Sequence, residues 1–329
     1  MIVDLDRDGL DRYRSAYRAP DDFDAFWGET LAAAAGYPLD VRVRPVATRL
    51  ATVEVFDLSF SGYGGHPVRA WLRLPRHRSG RLPAVVQFHG YASGRGHPLE
   101  DLLWASAGYA HLSMDTRGQG GEYAGGDTGD PVGSGPSAVG FMTRGITAPR
   151  EYFYRRVFTD AVRAVAAVRT LAEVDPDRVG VVGASQGGGI ALAVAGLVPD
   201  LRAVQVQAPF LCDIRRATHI ANGGPYLEIA RYLTAHRRAV AETFATLAYF
   251  DGIAFAQRAT APAWFSTALA DDVCPPSTVF GAYHAYAAGK RIQVWEYNGH
   301  DAGGAEDLDI ALSAFHPLLH AASAHPVAP

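Results

Sequence analysis

The hydrophobic pattern of the chain changes at Thr52 from weak periodicity to a regular succession of strand and helix patterns. Apolar and polar residues alternate over TVEVFDLSF and again over VRAWLRL, with the Gly-rich turn SGYGGHP between them, which predicts an antiparallel hairpin. After Pro83, short apolar runs predict buried parallel strands. These runs are AVVQFHG, YAHLSMD, RVGVVGA, AVQVQAP, AWFSTAL and RIQVWEY.

Helical patterns lie between most of these runs. The longest, YFYRRVFTDAVRAVAAVRTLAEV, has one apolar stripe, with Arg155, Asp160 and Arg163 elsewhere. The stripe contains Val157, Ala161, Val165 and Val168. Strands that alternate with helices predict an α/β fold, in which right-handed crossovers wind a mostly parallel central sheet flanked by helices. The hairpin is expected to form an antiparallel edge of that sheet.

The chain shows no linker that separates two domains, so we predict a single α/β domain over residues 1–329. Residues 1–50 form an N-terminal extension. Residues 118–148 form a Gly-rich loop whose length favours a function or an interface. Residues 213–257 form a helical insertion between two strands, which is a natural place for a lid.

Composition limits the class of protein. Hydrophobic residues make up 48% of the 329 residues, enough for a large core. Thirty Lys and Arg against 34 Asp and Glu, without a long run of either sign, argue against nucleic acid or an anionic membrane as partner. No apolar run approaches the roughly 20 residues of a membrane span, and charges interrupt the first residues, unlike a secretory signal. Cys212 and Cys274 are too few for a disulfide framework, so we expect a cytoplasmic protein.

The segment VVGASQGGGI carries the most specific chemical pattern. An apolar strand leads into GASQG at 183–187 and a helix follows, which is the strand–turn–helix setting of a G-x-S-x-G nucleophile elbow. Small residues at both ends let the strand and helix approach closely, while the strained turn lifts the Ser185 Oγ clear of the backbone. The helix N-terminus presents unbonded N–H groups to this oxygen. Ser185 is therefore the predicted nucleophile.

A serine nucleophile needs a general base, and the base needs an orienting carboxylate. In α/β-hydrolases they follow the serine in the order Asp, His, each after a later strand. AWFSTAL leads to Asp271 and Asp272, and RIQVWEY leads to His300. A strand-end position favours Asp271, with Asp272 as its competitor, and His300 is the predicted base. His89 precedes the nucleophile and is expected to shape a loop.

Two main-chain N–H groups are predicted to form an oxyanion hole. One belongs to Gln186, directly after the nucleophile, and the other to Tyr91, in the HGY segment after a strand. Asp127 and Asp130 in the Gly-rich loop could contact a cation, but their spacing matches no known cage. We predict no metal and no cofactor.

The chain resembles carbohydrate esterase family seven, the acetylxylan esterases and cephalosporin-C deacetylases of the α/β-hydrolase superfamily. The motifs DTRGQG at 115–120, GASQG at 183–187 and DDVCPPST at 271–278 carry the resemblance. GFMTRG, YFYRRVFTD and PFLC add to it, so that it covers nearly the whole chain. Gln directly after the nucleophile, together with RGQ, separates this group from other carboxylesterases.

The resemblance implies the triad Ser185, Asp271 and His300, with Tyr91 and Gln186 as oxyanion donors. It also implies a small acyl pocket, which admits acetyl and clashes with longer acyl chains. The pocket residues that the resemblance implies are Tyr91, Phe210, Pro225 and Val273.

The resemblance further implies a doughnut-like hexamer whose active sites face an internal cavity. We expect the loop 118–148 to form part of its interface. The expected partner is a small acetylated sugar or a cephalosporin-like substrate. The family has glutamate after the catalytic histidine, whereas this chain has Asp301 after His300. Catalysis should survive this change, while loop anchoring, assembly or stability could weaken. The donor fork of Arg117 is expected to lock loops beneath the site.

These inferences predict a serine esterase that removes acetyl groups through an acetyl-enzyme intermediate. A carboxylesterase, thioesterase or peptidase of the same fold is the alternative. Such peptidases usually carry an added propeller or extended cap, for which 329 residues leave little room. A non-catalytic binding protein of this fold would lack a triad member, and none is missing.

Overall fold

The computed structural model describes residues 3–133, 135 and 139–320, and the predicted domain and Gly-rich loop extend beyond them. The described residues form a nine-stranded sheet in the order β1-β2-β3-β5-β4-β6-β7-β8-β9. The strands are β1 (Arg42–Val46), β2 (Val53–Ser61), β3 (Pro67–Pro75), β4 (Leu82–Phe88), β5 (Ala110–Met114), β6 (Val174–Ala184), β7 (Ala203–Gln207), β8 (Ala263–Ala268) and β9 (Lys290–Trp295). Strands β4 to β9 pair in parallel, so the predicted α/β fold with a mostly parallel sheet is confirmed.

The antiparallel side of the sheet has one strand more than the sequence pattern predicts. Strands β2 and β3 form the predicted hairpin, with Ser61 opposite Pro67. However, β1 pairs with β2 and takes the edge, so the expected position of the hairpin is wrong by one strand. The β1 sequence RVRPV is almost wholly exposed and lacks a hydrophobic alternation. Its Pro45 is tolerated because an edge strand does not need every main-chain N–H.

Helices cover both faces of the sheet. They are α1 (Arg7–Arg12), α2 (Phe23–Ala35), α3 (Leu103–Ser106), α4 (Phe153–Arg169), α5 (Gln186–Leu197), α6 (Ile214–Ile220), α7 (Tyr226–Ala235), α8 (Val240–Leu247), α9 (Gly252–Ala256), α10 (Pro276–Ala285) and α11 (Ala305–Leu319). Alternate residues of a strand point to opposite faces. Val181 therefore joins the core beneath α4 and α5, while Val182 packs in the cluster beneath α3 and α11. None of these helices is both long enough and apolar enough to cross a bilayer.

Helix α4 is more completely buried than its amphipathic pattern predicts. Asp160 and Arg163, which lie off the apolar stripe, are both buried. Arg163 donates hydrogen bonds to the carbonyl oxygens of Ala34 (2.6 Å) and Tyr37 (2.7 Å), which attaches the N-terminal extension. Asp160 accepts two hydrogen bonds from the guanidinium fork of Arg117, at 2.5 and 2.7 Å. Charged groups are tolerated inside the protein when they are paired in this way.

The Gly-rich segment that follows β5 is fixed by a buried carboxylate and by close backbone packing. Asp115 accepts hydrogen bonds from the main-chain N–H groups of Arg95 (2.9 Å) and Asp127 (2.6 Å). A Cβ atom on Gly126 would lie 2.4 Å from the carbonyl oxygen of Gln119. The glycines therefore allow two stretches of backbone to meet where other residues would clash.

The insertion between β7 and β8 consists of α6 to α9, with a 3₁₀ turn at Ala248–Phe250. Helix α7 reaches the edge of the sheet where the parallel strands end, since its Glu228 contacts the loop that follows β4. In open α/β sheets, ligands bind at this edge. The insertion thus forms one wall of a candidate site.

Candidate active site

Ser185 occupies the sharp turn between β6 and α5. Its φ of 55° is in the left-handed region, which is strained for a residue with a side chain. The turn is held by main-chain hydrogen bonds from the Ser185 N–H to Gln207 O and from the Phe210 N–H to Ser185 O, both 2.9 Å. A Cβ atom on Gly183 would lie 2.1 Å from the carbonyl oxygen of Gly187, so the strand and helix meet at their backbones.

Three side chains from three strand ends meet at this turn. His300 Nε2 lies 2.9 Å from Ser185 Oγ, and His300 Nδ1 lies 2.9 and 3.2 Å from the Asp271 oxygens. Asp271 is fully buried and accepts the main-chain N–H groups of Val273 and Cys274 at 2.9 Å. A carboxylate at Nδ1 favours the tautomer in which Nε2 can accept the serine proton.

The competing candidates lie elsewhere. Asp272 is exposed, and its main-chain oxygen accepts the N–H groups of Asn222 and Gly223. His89 Nε2 lies 2.7 Å from Ser113 Oγ. Asp271 and His300 are therefore the candidates that the fold brings to the serine.

Of the two predicted oxyanion donors, Gln186 directly follows the nucleophile and Tyr91 lines the same cavity as Ser185. Gln186 begins α5, where a main-chain N–H has no acceptor within the helix. Within the described parts of the chain, neither the Gln186 N–H nor the Tyr91 N–H donates a hydrogen bond. A Cβ atom on Gly187 would lie 2.2 Å from the carbonyl oxygen of Phe88, so α5 begins against the end of β4. This contact brings the loop that carries Tyr91 to the serine.

Two buried glutamines hold the loop around Tyr91. Gln186 Nε2 donates to the carbonyl oxygens of residues 89–90, at 3.2 and 3.3 Å. Gln119 Oε1 accepts the Ala92 N–H at 2.8 Å, and Gln119 Nε2 donates to Gln186 Oε1 at 2.9 Å. The RGQ and SQG motifs thus meet through their side chains and fix the main chain on both sides of the predicted oxyanion donor.

Glu228 on α7 joins three parts of the site, and sequence analysis did not identify it. Both of its carboxylate oxygens lie 2.8 Å from the Tyr91 hydroxyl, which donates to them. The same carboxylate accepts the N–H groups of Gly140 and Met142 at 3.1 Å, and the Tyr91 hydroxyl accepts the Phe141 N–H at 2.8 Å. Burial, assisted by the negative charge of Glu228, raises the pKa of Tyr91 well above its usual value. The phenol therefore remains a hydrogen-bond donor.

A cavity of about 610 Å³ opens over Ser185 and His300. Three of the four predicted pocket residues, Tyr91, Pro225 and Val273, line it. The fourth, Phe210, is fully buried and packs behind the wall, with its ring centroid 4.2 Å from that of Tyr226. The remaining lining residues are Gly90, Ser93, Glu122, Tyr123, Val139, Gly224, Glu228 and Arg231.

The carboxylates considered as cation contacts are already paired with arginines. Asp127 lies 2.7 Å from Arg95, and buried Asp130 lies 2.8 Å from Arg156 and 3.5 Å from Arg117. Burial alone would raise the pKa of Asp130, but hydrogen bonding and charge from Arg156 and Arg117 hold it below its ordinary value. These carboxylates act as ion-pair partners that attach the Gly-rich loop.

Asp271, Cys274 and His300 bring three metal-ligating atoms within 4.8 Å of one another. Two of them are already hydrogen-bonded to each other, at 2.9 Å. Cys274 is fully buried, and burial raises the pKa of its thiol well above the usual value, with a further increase from the charge of Asp271. The group is suited to proton transfer between His300 and Ser185 rather than to holding a metal ion.

The loop that carries His300 is anchored through its main chain. The Asp301 side chain is exposed, while its carbonyl oxygen accepts a hydrogen bond from Gln207 Nε2 at 2.7 Å. The carboxylate of Asp301 makes no hydrogen bond within the described residues. The geometry around His300 therefore does not depend on the length of the side chain at position 301.

Comparison with known proteins identifies close structural relatives. The acetyl xylan esterase (AXE1) family matches residues 1–312 of the chain. The acetyl xylan esterase from Paenibacillus sp. R4 is 35% identical, with a TM-score of 0.89 over 96% of this chain and 100% of that one. Acetyl xylan esterase 1 from Thermoanaerobacterium sp. JW/SL YS485 is 32% identical, with a TM-score of 0.86 over 95% and 99% of the two chains.

A curated relative is longer than this chain. Acetyl esterase Axe7A of Xylanibacter ruminicola is 28% identical over 290 residues, which are 85% of this chain and 63% of the relative. The chain thus spans less than two thirds of that protein. An acylaminoacyl peptidase from Pyrococcus horikoshii, with a TM-score of 0.59 at 16% identity, is similar in fold alone.

Proposed function

Since the chain belongs to the acetyl xylan esterase family, we propose that it is a serine esterase that removes acetyl groups from small acetylated substrates. The observation that carries this proposal is the hydrogen-bonded line from buried Asp271 through His300 to Ser185, with 2.9 Å between Nε2 and Oγ. A serine hydroxyl becomes an effective nucleophile when a base at this distance can take its proton.

In the first half of the reaction, Ser185 Oγ bonds to the acetyl carbonyl carbon while His300 Nε2 takes the serine proton. The oxyanion accepts hydrogen bonds from the main-chain N–H groups of Tyr91 and Gln186. The bond between the carbonyl carbon and the alcohol oxygen then breaks, and His300 gives its proton to the departing alcohol. Asp271 stabilises the imidazolium between these two transfers.

In the second half, water attacks the acetyl ester on Ser185 while His300 takes a proton from the water. The same two N–H groups bind the second oxyanion. The bond to Ser185 then breaks, acetate leaves, and His300 returns the proton to the serine oxygen. This sequence consumes one water and restores the enzyme.

We propose that the acetyl methyl group binds against Tyr91, Pro225 and Val273, with Phe210 behind them. The wall consists of a fully buried ring, a proline and a branched side chain, none of which can easily move aside. A longer acyl chain would therefore clash with it. The rest of the cavity, about 610 Å³, is large enough to accept the alcohol part of the substrate.

The experiment is a series of p-nitrophenyl esters of increasing acyl length, assayed with the wild type and Ser185→Ala. Acetate should be cleaved fastest and butyrate poorly, and Ser185→Ala should lower kcat by at least about 10³-fold. Equal turnover of long acyl chains would contradict the small pocket. Retained activity in Ser185→Ala would contradict the nucleophile. Faster cleavage of a thioester or a peptide would favour the alternative hydrolase functions.

Acetylated xylo-oligosaccharides and cephalosporin C are the proposed natural classes of substrate, in keeping with the family resemblance. A panel of acetylated sugars and cephalosporin C, assayed for acetate release, ranks these candidates by kcat/KM. We propose neither a nucleic acid nor a membrane as a partner, and no cofactor.

We propose that the chain assembles as a hexamer in the cytoplasm. The exposed Val132 and Val139 in the Gly-rich loop support an interface there, and the unpaired, buried Cys212 and Cys274 are consistent with a reducing compartment. Light scattering should give the mass of six chains, and a monomer would contradict the assembly. Cell fractionation tests the location.

A further inference from the structure

Tyr123 is unusual among the aromatic residues of the cavity because its side chain is exposed. The residue is 81% exposed, yet it lines the same cavity as Ser185 and His300. An aromatic ring at a cavity wall offers a large flat contact surface to a ligand at little cost in side-chain entropy. The position of Tyr123 therefore points to contact with the part of the substrate that lies outside the acyl pocket.

The main chain on both sides of Tyr123 is held in place. The Glu122 N–H donates to Ala92 O at 3.4 Å, and the Gly94 N–H donates to Ala124 O at 2.9 Å. These bonds attach the segment to the loop that also carries the predicted oxyanion donor. The ring is thus presented from a fixed backbone, which lowers the entropy lost when a ligand binds.

Two charged side chains that line the same cavity as Tyr123 are available for hydrogen bonding. Glu122 and Arg231 both line the cavity, and neither side chain has a hydrogen-bond or ion-pair partner among the residues that the structure describes. Glu228, in contrast, is fully engaged with the Tyr91 hydroxyl and two main-chain N–H groups. A carboxylate accepts and a guanidinium donates, so together they match hydroxyl groups, which do both.

We propose that Tyr123, Glu122 and Arg231 form a sugar-binding subsite beside Ser185. The inference rests on the proposed function, since it places the acetyl group of the sugar at the serine. One face of a pyranose ring presents C–H groups of partial positive charge, which complement the negative face of an aromatic ring. The hydroxyl groups at the ring edge then bind Glu122 and Arg231.

The test compares two acetate esters with the wild type, Tyr123→Ala and Tyr123→Phe. Acetylated xylobiose carries a pyranose ring, whereas ethyl acetate carries no ring that could stack. Tyr123→Ala should lower kcat/KM for acetylated xylobiose about five- to ten-fold, mainly through KM, because ring stacking stabilises bound substrate and transition state alike. The same variant should leave ethyl acetate hydrolysis unchanged, and Tyr123→Phe should retain activity on acetylated xylobiose within about two-fold.

Tyr297→Ala is the matched control, because Tyr297 is 86% exposed but does not line the cavity. This variant should hydrolyse both esters at the wild-type rate. Equal losses on the two esters in Tyr123→Ala, or no loss on acetylated xylobiose, would overturn the subsite.

A binding measurement separates this inference from the proposed esterase activity. Titration calorimetry with unacetylated xylobiose should show a Kd about five- to ten-fold weaker for Tyr123→Ala than for the wild type. If the wild type hydrolyses neither ester, the proposed function is wrong, while the calorimetric result still decides the subsite. Equal affinity in the two proteins would overturn it.

Discussion

At the scale of single residues, Tyr91 links the shape of the cavity to the proposed chemistry. Its main-chain N–H is a predicted oxyanion donor, and its side chain is bonded to Glu228 on another element. The main chain cannot shift without moving the ring and its hydroxyl. Glu228 therefore positions the N–H through the side chain of the same residue.

Glu228→Gln should lower kcat for p-nitrophenyl acetate by about ten-fold or more, with little change in KM. In the wild type, the two carboxylate oxygens accept hydrogen bonds from the main-chain N–H groups of Gly140 and Met142. A glutamine amide has only one oxygen, so its NH₂ group would face one of these N–H groups, and two donors cannot form a hydrogen bond with each other. Loss of a whole oxyanion donor costs about 10²–10³ in kcat, which sets the upper range. Steady-state kinetics measure the effect.

Thr234→Ala on the same helix is the control for that variant. Thr234 is exposed, and its hydroxyl donates only to the carbonyl oxygen of Ala230, one turn earlier. Its kcat should match the wild type. A Glu228→Gln variant with raised KM and unchanged kcat would show that Glu228 shapes the cavity without positioning the oxyanion donor.

The sequence could predict some residues of the candidate site, but not the long-range contacts between their side chains. The three residues of the proposed triad follow from strand-end positions and from the order of residue types. The Gln119–Gln186 and Tyr91–Glu228 contacts join positions 67 and 137 residues apart, and no local pattern indicates that they meet. The family resemblance singled out the RGQ and SQG motifs, which contain the two glutamines. No feature of the sequence indicated a role for Glu228.

At the scale of elements, the elbow depends on direct backbone contact between β4, β6 and α5. Gly187→Ala should destabilise the protein by about 1–3 kcal/mol and lower activity, because the new Cβ would lie 2.2 Å from the Phe88 carbonyl oxygen. Neither backbone can move without disturbing the sheet. Urea unfolding and the p-nitrophenyl acetate assay measure the two effects.

Gly28→Ala is the control for Gly187→Ala, because a new Cβ at this helix position would contact nothing. Gly28 lies in α2, and no atom lies within 4 Å of the position that its Cβ would occupy. This substitution should stabilise the protein by up to about 1 kcal/mol, because alanine has the higher helix propensity. If both alanine variants lowered stability equally, backbone contact would not be the cause at the elbow.

Strands can be predicted from the sequence where their hydrophobic pattern follows their burial. The apolar runs of β4, β5, β7 and β8 are mostly buried and are recognisable as parallel strands. The prediction of burial is wrong for β9, which forms the other edge of the sheet and stays partly exposed. Strand β1 was missed because RVRPV is exposed and pairs on one side alone, so its sequence carries no burial pattern. The burial of Asp160 in α4 could not be predicted, because its ion-pair partner Arg117 lies 43 residues away in the sequence.

At the scale of the whole molecule, a buried ion network ties the Gly-rich loop to the rest of the fold. Asp130 in the loop pairs with Arg156 on α4 and with Arg117, which also pairs with Asp160. The side chains of Asp130 and Arg117 are 1% and 0% exposed. Removal of one partner from such a group leaves an uncompensated buried charge.

Asp130→Asn should destabilise the protein at neutral pH by about 3–5 kcal/mol. Arginine partners lower the pKa of Asp130 in the folded protein below the ordinary 3.8, so the unfolded chain binds its proton first as the pH falls. The stabilisation is therefore complete above about pH 4 and is lost as the pH falls through the folded-state pKa.

Urea unfolding of both proteins between neutral pH and about pH 3 tests this assignment. The wild type should lose stability below about pH 4, and Asp130→Asn should show a smaller loss over that range. Parallel curves for the two proteins would mean that Asp130 is not the group whose protonation weakens the fold.

Rapid-quench mass spectrometry of the protein during turnover of an acetate ester tests whether Ser185 carries the acetyl group as an intermediate. One transient acetyl group should be found on the peptide that contains Ser185, and it should be absent from the Ser185→Ala variant. Acetate release without any acetylated protein, or acetylation of a different residue, would contradict this role of Ser185.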